Sequence, residues 1–284
     1  MFEKSTNTFI SCDSDYHTAD IVLFGAPYDS TASFRPGSRF APRSIREDSY
    51  GLETYSPYQD KDLINSHILD TGDLELPFGD SKLALDQIHK FSSAILSAGK
   101  IPFMIGGEHL VTLGSFRAAY DLFPDLHLIH FDAHTDLRDQ YLGVSLSHAC
   151  VVRRCWELTG DGCIRQFGIR SGEREEFEWG YLHTGLQKFD FEGLDECIQA
   201  MKDKPVYFTL DLDILDPSVF PGTGTPEPGG VSFSQLLDAV LRIMSSLHIV
   251  ACDVNELSPV YDQSGVSTAV ACKIIREMLL GLQK

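Results

Sequence analysis

Residues 128–136 read Leu128-Ile129-His130-Phe131-Asp132-Ala133-His134-Thr135-Asp136. The first four, dominated by large apolar side chains, predict a strand buried on both faces, as strands inside a parallel sheet are. That strand runs directly into Asp132, His134 and Asp136, three groups able to ligate a metal, each two residues from the next. In extended backbone, side chains two apart point the same way, so the three converge where the strand ends. His130 shares their parity but precedes them inside the strand and reads as a structural histidine.

Outward from this stretch the same pattern recurs. Short apolar runs at 21–25, 101–105, 126–131, 164–169, 206–210 and 248–252 alternate with segments of helical spacing, such as 81–98, 233–245 and 268–282. In the last of these Val270, Ile274, Ile275, Met278, Leu279 and Leu282 mark one core-facing side. Alternation of this kind predicts an α/β protein with a parallel sheet covered by helices on both faces. No internal repeat or Pro/Gly/Ser-rich linker interrupts it, so residues 1–284 are expected to form a single domain.

Ligands of open parallel sheets bind beyond the carboxyl ends of the strands, which makes the residues after each strand the informative ones. The run 206–210 leads into Asp211-Leu212-Asp213, again two carboxylates at period two. The run 101–105 leads into Gly106-Gly107-Glu108-His109, where two glycines allow a close approach of the backbone to a neighbour. Four carboxylates brought together cannot all remain ionised without cations among them. With His109 and His134 added, the donor set is too large for one tetrahedral site and too rich in oxygen for a thiolate metal. It suits two ions sharing carboxylates, with Mn2+ favoured ahead of Co, Ni or Fe, and Zn2+ also possible. The chemistry of such a pair is hydrolysis. His17, His67, His89, His127, His183 and His248 read as structural.

The chain carries 41 acidic and 23 basic residues, a net charge of −18. Such a field repels phosphate backbones and anionic lipid, which excludes nucleic acid and the membrane surface as partners. Seven Cys without a C-x-x-C pair read as reduced thiols. With no apolar run near the length of a membrane span and no signal-peptide core at the N-terminus, the expected location is the cytoplasm.

Three of these segments together resemble the ureohydrolases, the arginase and agmatinase family, over about residues 21–282. They are Ile105-Gly106-Gly107-Glu108-His109, the stretch 128–136, and Thr209-Leu210-Asp211-Leu212-Asp213 followed by Asp216-Pro217, Pro221-Gly222 and Gly230. The resemblance implies a three-layer α/β/α sandwich on a central eight-stranded parallel sheet, and two Mn2+ per chain. It implies that His109 binds the first ion, His134 and Asp213 the second, and that Asp132, Asp136 and Asp211 contact both. It further implies that His148 carries a proton near the leaving nitrogen and that Glu256 grips the guanidinium of a small-molecule substrate. Catalytic work would fall to His148, Asp136 and Glu256, in a homo-oligomer that is a trimer or a hexamer.

Within the family the chain is most similar to bacterial agmatinases, through 168–172, 223–230 and 261–264. Arg138 stands where arginases place an Asn that holds the amino acid's carboxylate. The implied reaction is hydrolysis of agmatine to putrescine and urea by a hydroxide bridging the two metals. Arg138 leaves open an anionic substrate arm, hence a guanidinobutyrase or a formimidoylglutamase; an arginase and a non-catalytic metal-binding scaffold are the remaining alternatives. No role is assigned to Glu227. Asp29, Glu108 and Asp253 read as capping or supporting groups, and the Arg-rich segment 35–46 as a structural collar or subunit contact.

Overall fold

Every apolar run above forms a strand in the computed structural model, which describes residue 2 and residues 5–283. Among the described residues the main sheet has eight strands: β1 (Ile21–Ala26), β2 (Ile68–Asp73), β3 (Ile101–Gly106), β4 (His127–Phe131), β5 (Ile164–Ile169), β6 (Gly185–Lys188), β7 (Pro205–Asp211) and β8 (His248–Asn255). Their order is β2-β1-β3-β8-β7-β4-β5-β6, and all neighbours are parallel.

The two strands that no apolar run announced, β2 and β6, are the two edges of the sheet. β6 is only partly buried, so a polar sequence costs it little. β2 is polar for another reason. Its Asp70 is fully buried because the equally buried Arg46 donates to both carboxylate oxygens, Nε at 2.8 Å and Nη2 at 3.0 Å. A bidentate guanidinium–carboxylate pair of this kind offsets the burial of both charges. Arg46 also reaches Asp73, which pins the predicted collar to the sheet.

Helices cover both faces. α1 (Ala41–Ser49), α6 (Leu194–Met201), α7 (Phe233–Ser246) and α8 (Val266–Leu282) pack on one side; α2 (Ser81–Ser97), α3 (Thr112–Leu122) and α4 (Val151–Thr159) pack on the other. α5 (Arg174–His183) lies against β6. The result is the three-layer α/β/α sandwich. Along β4 the alternation of a strand buried on both faces is plain: Ile129 and Phe131 enter one core, Leu128 the other. Phe131 meets Phe208 edge-on at 5.0 Å between ring centroids. No helix among the described residues is long and apolar enough to cross a membrane.

Sheet order places β3, β8, β7 and β4 side by side at its centre. Their carboxyl ends therefore deliver His109, Glu256, the Asp211/Asp213 pair and the 132–136 cluster to one edge. The two glycines after β3 make this possible. A Cβ on Gly107 would lie 2.1 Å from the carbonyl oxygen of Tyr28, and one on Gly106 would lie 1.9 Å from Asn255 Oδ1.

Candidate metal centre

His109 opens the short turn His109–Val111 that leads into α3. Its Nδ1 lies 3.0 Å from Asp132 Oδ2, 3.2 Å from Asp211 Oδ2 and 3.4 Å from Asp136 Oδ2. The other ring nitrogen, Nε2, is 2.8 Å from Thr209 Oγ1, and that hydroxyl donates its hydrogen to Asp253 Oδ1 at 2.5 Å. Because Thr209 has already committed its proton, its oxygen accepts from His109 Nε2–H. Nδ1 is then the ring nitrogen turned toward three carboxylate oxygens, which is how a metal-ligating imidazole is oriented by its outer partner.

His134 supplies the second half. Its Nδ1 lies 3.0 Å from Asp213 Oδ2 and 3.5 Å from Asp132 Oδ1. Asp213 Oδ2 is buried and makes no hydrogen bond to any described residue, a bare anionic oxygen of the kind a metal ion satisfies. The ligand atoms of Asp132, His134 and Asp213 fall within 4.8 Å of one another, as do those of His109, His130, Asp132 and Asp136. Asp132 belongs to both groups. Burial and the charges of neighbouring aspartates push the carboxyls of Asp136 and Asp211 far above their ordinary range, so this cluster too calls for compensating positive charge.

His130 stands apart from the ligand atoms in one respect. Gln166 Nε2 donates to His130 Nδ1 at 3.0 Å, and His130 Nε2 is 2.8 Å from Asp132 Oδ2. With Nδ1 accepting, the hydrogen sits on Nε2 and points at Asp132, so no lone pair remains for a metal. His130 orients a carboxylate.

Glu256 follows β8, with its backbone N–H bonded to Gly107 O at 2.9 Å and its Oε1 accepting from the backbone N–H of His109 at 2.7 Å. Desolvation, with the charges of Glu108 and Asp213, pushes its carboxyl up to about 8. Both Glu256 (φ 67) and Asp136 (φ 51) have left-handed backbone, which costs a non-glycine residue of order 1 kcal/mol or more and concentrates at functional sites. His148, from the loop after β4, lines the same cavity of about 260 Å³ as His109, His134, Asp136 and Glu256. Burial and the nearby His134 lower its imidazole to about 4, so it is neutral at pH 7.

The Arginase family sequence pattern matches residues 19–281. The chain belongs to the arginase family. It is 47% identical over 283 residues to the agmatinase of Bacillus subtilis and 46% identical over 283 residues to that of Bacillus anthracis, in each case covering 99% of this chain and 98% of the other. The solved agmatine ureohydrolase of Thermoplasma volcanium is similar in fold, with a TM-score of 0.90 at 37% identity over 98% of this chain and 95% of that one. Arginase-family enzymes are hydrolases that depend on a pair of metal ions, and the donor set just described fits such a pair.

Arg138 does not stand free in this arginase-family cavity. Its Nη2 lies 3.1 Å from Glu173 Oε1, its Nε 3.3 Å from Glu176 Oε2, and its guanidinium 4.5 Å from the centroid of the Tyr141 ring. Glu227 sits on the rim, where its Oε1 accepts from Ser171 Oγ at 2.9 Å and lies 4.0 Å from His134 Nε2. Asp29 accepts from the Gly37 backbone at 2.7 Å, as a capping group does.

Sequence reasoning missed the groups that hold this machinery still. Gln166 and Thr209 looked like ordinary strand residues. Arg170 donates to the carbonyl oxygens of Asp213 (2.7 Å), Ile214 (3.1 Å) and Glu227 (2.8 Å), and so ties the loop after β7 to the rim. No acidic partner betrayed it, because its acceptors are backbone.

Proposed function

We propose that the enzyme hydrolyses agmatine to putrescine and urea with two Mn2+ ions. Its ligands would be His109 for the first ion, His134 and Asp213 for the second, and Asp132, Asp136 and Asp211 for both. The fit of that donor set is supported by the inward-turned Nδ1 of His109 and by Asp213 Oδ2, which is buried and, among the described residues, has only the His134 imidazole beside it. Such an ion pair makes water acidic enough to serve as a nucleophile at neutral pH and polarises the carbon to be attacked.

The chain's own residues do the rest. Glu256 accepts hydrogen bonds from the guanidinium and, held by the His109 backbone, orients its carbon over the centre. Asp136 takes up the proton shed by the attacking water and returns it to solvent, while His148, neutral at rest, takes up a proton on one ring nitrogen and releases it to the departing amine nitrogen. Water adds across the C–N bond, leaving urea and putrescine.

The single observation that carries the choice of substrate is the state of Arg138. Its Nη2 and Nε face Glu173 and Glu176, so this end of the cavity has one positive charge against two negative ones. That balance suits an ammonium tail. A carboxylate tail, as in arginine, 4-guanidinobutyrate or formiminoglutamate, would meet two carboxylates beside that one guanidinium and lose affinity accordingly. Urea release from agmatine, arginine and 4-guanidinobutyrate, beside formamide release from formiminoglutamate, tests this directly. Faster turnover of any acid would overturn the assignment.

The same reading takes residues 1–284 as one catalytic unit, working in the cytoplasm as a homotrimer or hexamer, and light scattering of the purified protein checks the assembly. The absence of a membrane-crossing helix among the described residues and the family membership support it.

A further inference from the structure

The imidazole of His148 rests on a hydroxyl that has nothing left to donate. Thr31, in the loop after β1, gives its Oγ1 hydrogen to Glu108 Oε1 at 2.7 Å and its backbone N–H to Glu108 Oε2 at 2.9 Å. Both oxygens of a carboxylate that is 1% exposed are thus engaged by one residue. The same Thr31 Oγ1 accepts the backbone N–H of His148 at 3.1 Å and lies 3.4 Å from His148 Nδ1. With Glu108 ionised, that oxygen can only accept, so it pairs with an Nδ1 that bears the hydrogen. Ser147 Oγ is a more distant neighbour of that nitrogen, at 3.5 Å. Nε2 makes no hydrogen bond to any described residue, and His148 lines the cavity.

We infer that Thr31 and Glu108 are positioning residues which hold His148 in its Nδ1–H tautomer, leaving Nε2 as the nitrogen that takes up and releases a proton. The inference rests on the reading of His148 as a proton carrier for its catalytic consequence, while the tautomer rests on the Thr31 contacts with an ionised Glu108. The order carboxylate, threonine, imidazole occurs a second time in the molecule, as Asp253–Thr209–His109, where it fixes the hydrogen on Nε2 instead. In each case a buried carboxylate takes the threonine's hydrogen, and the threonine oxygen then accepts from the imidazole nitrogen that faces it. Three loops, following β1, β3 and β4, meet at Thr31, so the device also fixes where the His148 loop lies.

The test has two arms. Imidazole 15N shifts of the full chain, stripped of paramagnetic metal, report the tautomer without any turnover. Wild type and Thr31→Ser should show a protonated Nδ1 on His148; Thr31→Val should move the hydrogen to Nε2, and so should Glu108→Gln, whose amide can donate to Thr31 and release its hydroxyl toward Nδ1. In turnover, Thr31→Val should lower kcat by roughly 10- to 100-fold with KM and metal content unchanged, and Thr31→Ser should restore it. A protonated Nε2 in wild type, or an unchanged tautomer in Thr31→Val, would overturn the inference. A loss of metal in Thr31→Val that accounts for the lost activity would reduce Thr31 to a structural tether. Full turnover by His148→Asn would instead sink the proton-carrier reading, while the nitrogen shifts still judge the tautomer.

Discussion

Asp132 Oδ2 lies 3.0 Å from Nδ1 of His109. Asp132's other oxygen faces the His134 half of the centre, 3.5 Å from its Nδ1, so one carboxylate touches both halves.

Removal of Asp132 should therefore unsettle both halves. Asp132→Ala is expected to lower bound Mn2+ from about two ions per chain to one or fewer, measured by elemental analysis after gel filtration. Asp211→Ala should behave alike. Retention of both ions in either variant would refute the shared-ligand assignment.

His148→Asn should cut kcat by about 10²–10⁴ while metal content stays the same. The same residue has a signature in stability. Its folded pKa of about 4 lies below the ordinary histidine value near 6.5, so between those limits the unfolded chain binds more protons. Stability is full above about pH 6.5 and is lost as pH falls toward 4. Wild type should accordingly lose more Tm than His148→Asn between pH 7 and pH 5, by a few degrees; parallel melting curves would contradict the neutral, buried imidazole.

Glu173→Gln should loosen Arg138 and relax the preference for a cationic tail. Glu173 is the better target because Glu176 is buried and also accepts from Thr135 Oγ1 and the Glu173 backbone N–H, which closes the capping box of α5. The ratio of kcat/KM for agmatine over 4-guanidinobutyrate is expected to fall by about tenfold, the size of one charge contact. An unchanged ratio would remove Arg138 and Glu173 from substrate selection.

Gly107→Ala should be among the most damaging small changes in the chain. The new methyl would meet the Tyr28 carbonyl at 2.1 Å, backbone against backbone, with no flexible side chain to yield. A loss of about 1–3 kcal/mol is expected, read by urea denaturation, together with weaker metal binding because His109 lies two residues on.

Much of this protein is written locally. Apolar runs such as 101–105 and 206–210 must be buried on both faces, and the period-two ligands that follow β4 and β7 must share a direction, because strand geometry dictates both. The glycines before Glu108 likewise announced a close approach. Other features depend on elements far apart in the chain. β2 escaped notice because its buried Asp70 is matched by Arg46, 24 residues away, and hydropathy records only the lone charge. Glu256 meets the backbone of His109 across 147 residues, and Thr31 meets His148 across 117. Those contacts follow from the order β3-β8-β7-β4 and from the paths of the loops between. The sequence alone thus determined which ligand-type residues stand where strands end; the tertiary structure decided which nitrogen of His109 is turned toward the carboxylates and that Arg138 sits between Glu173 and Glu176, because both depend on partners brought in from other elements.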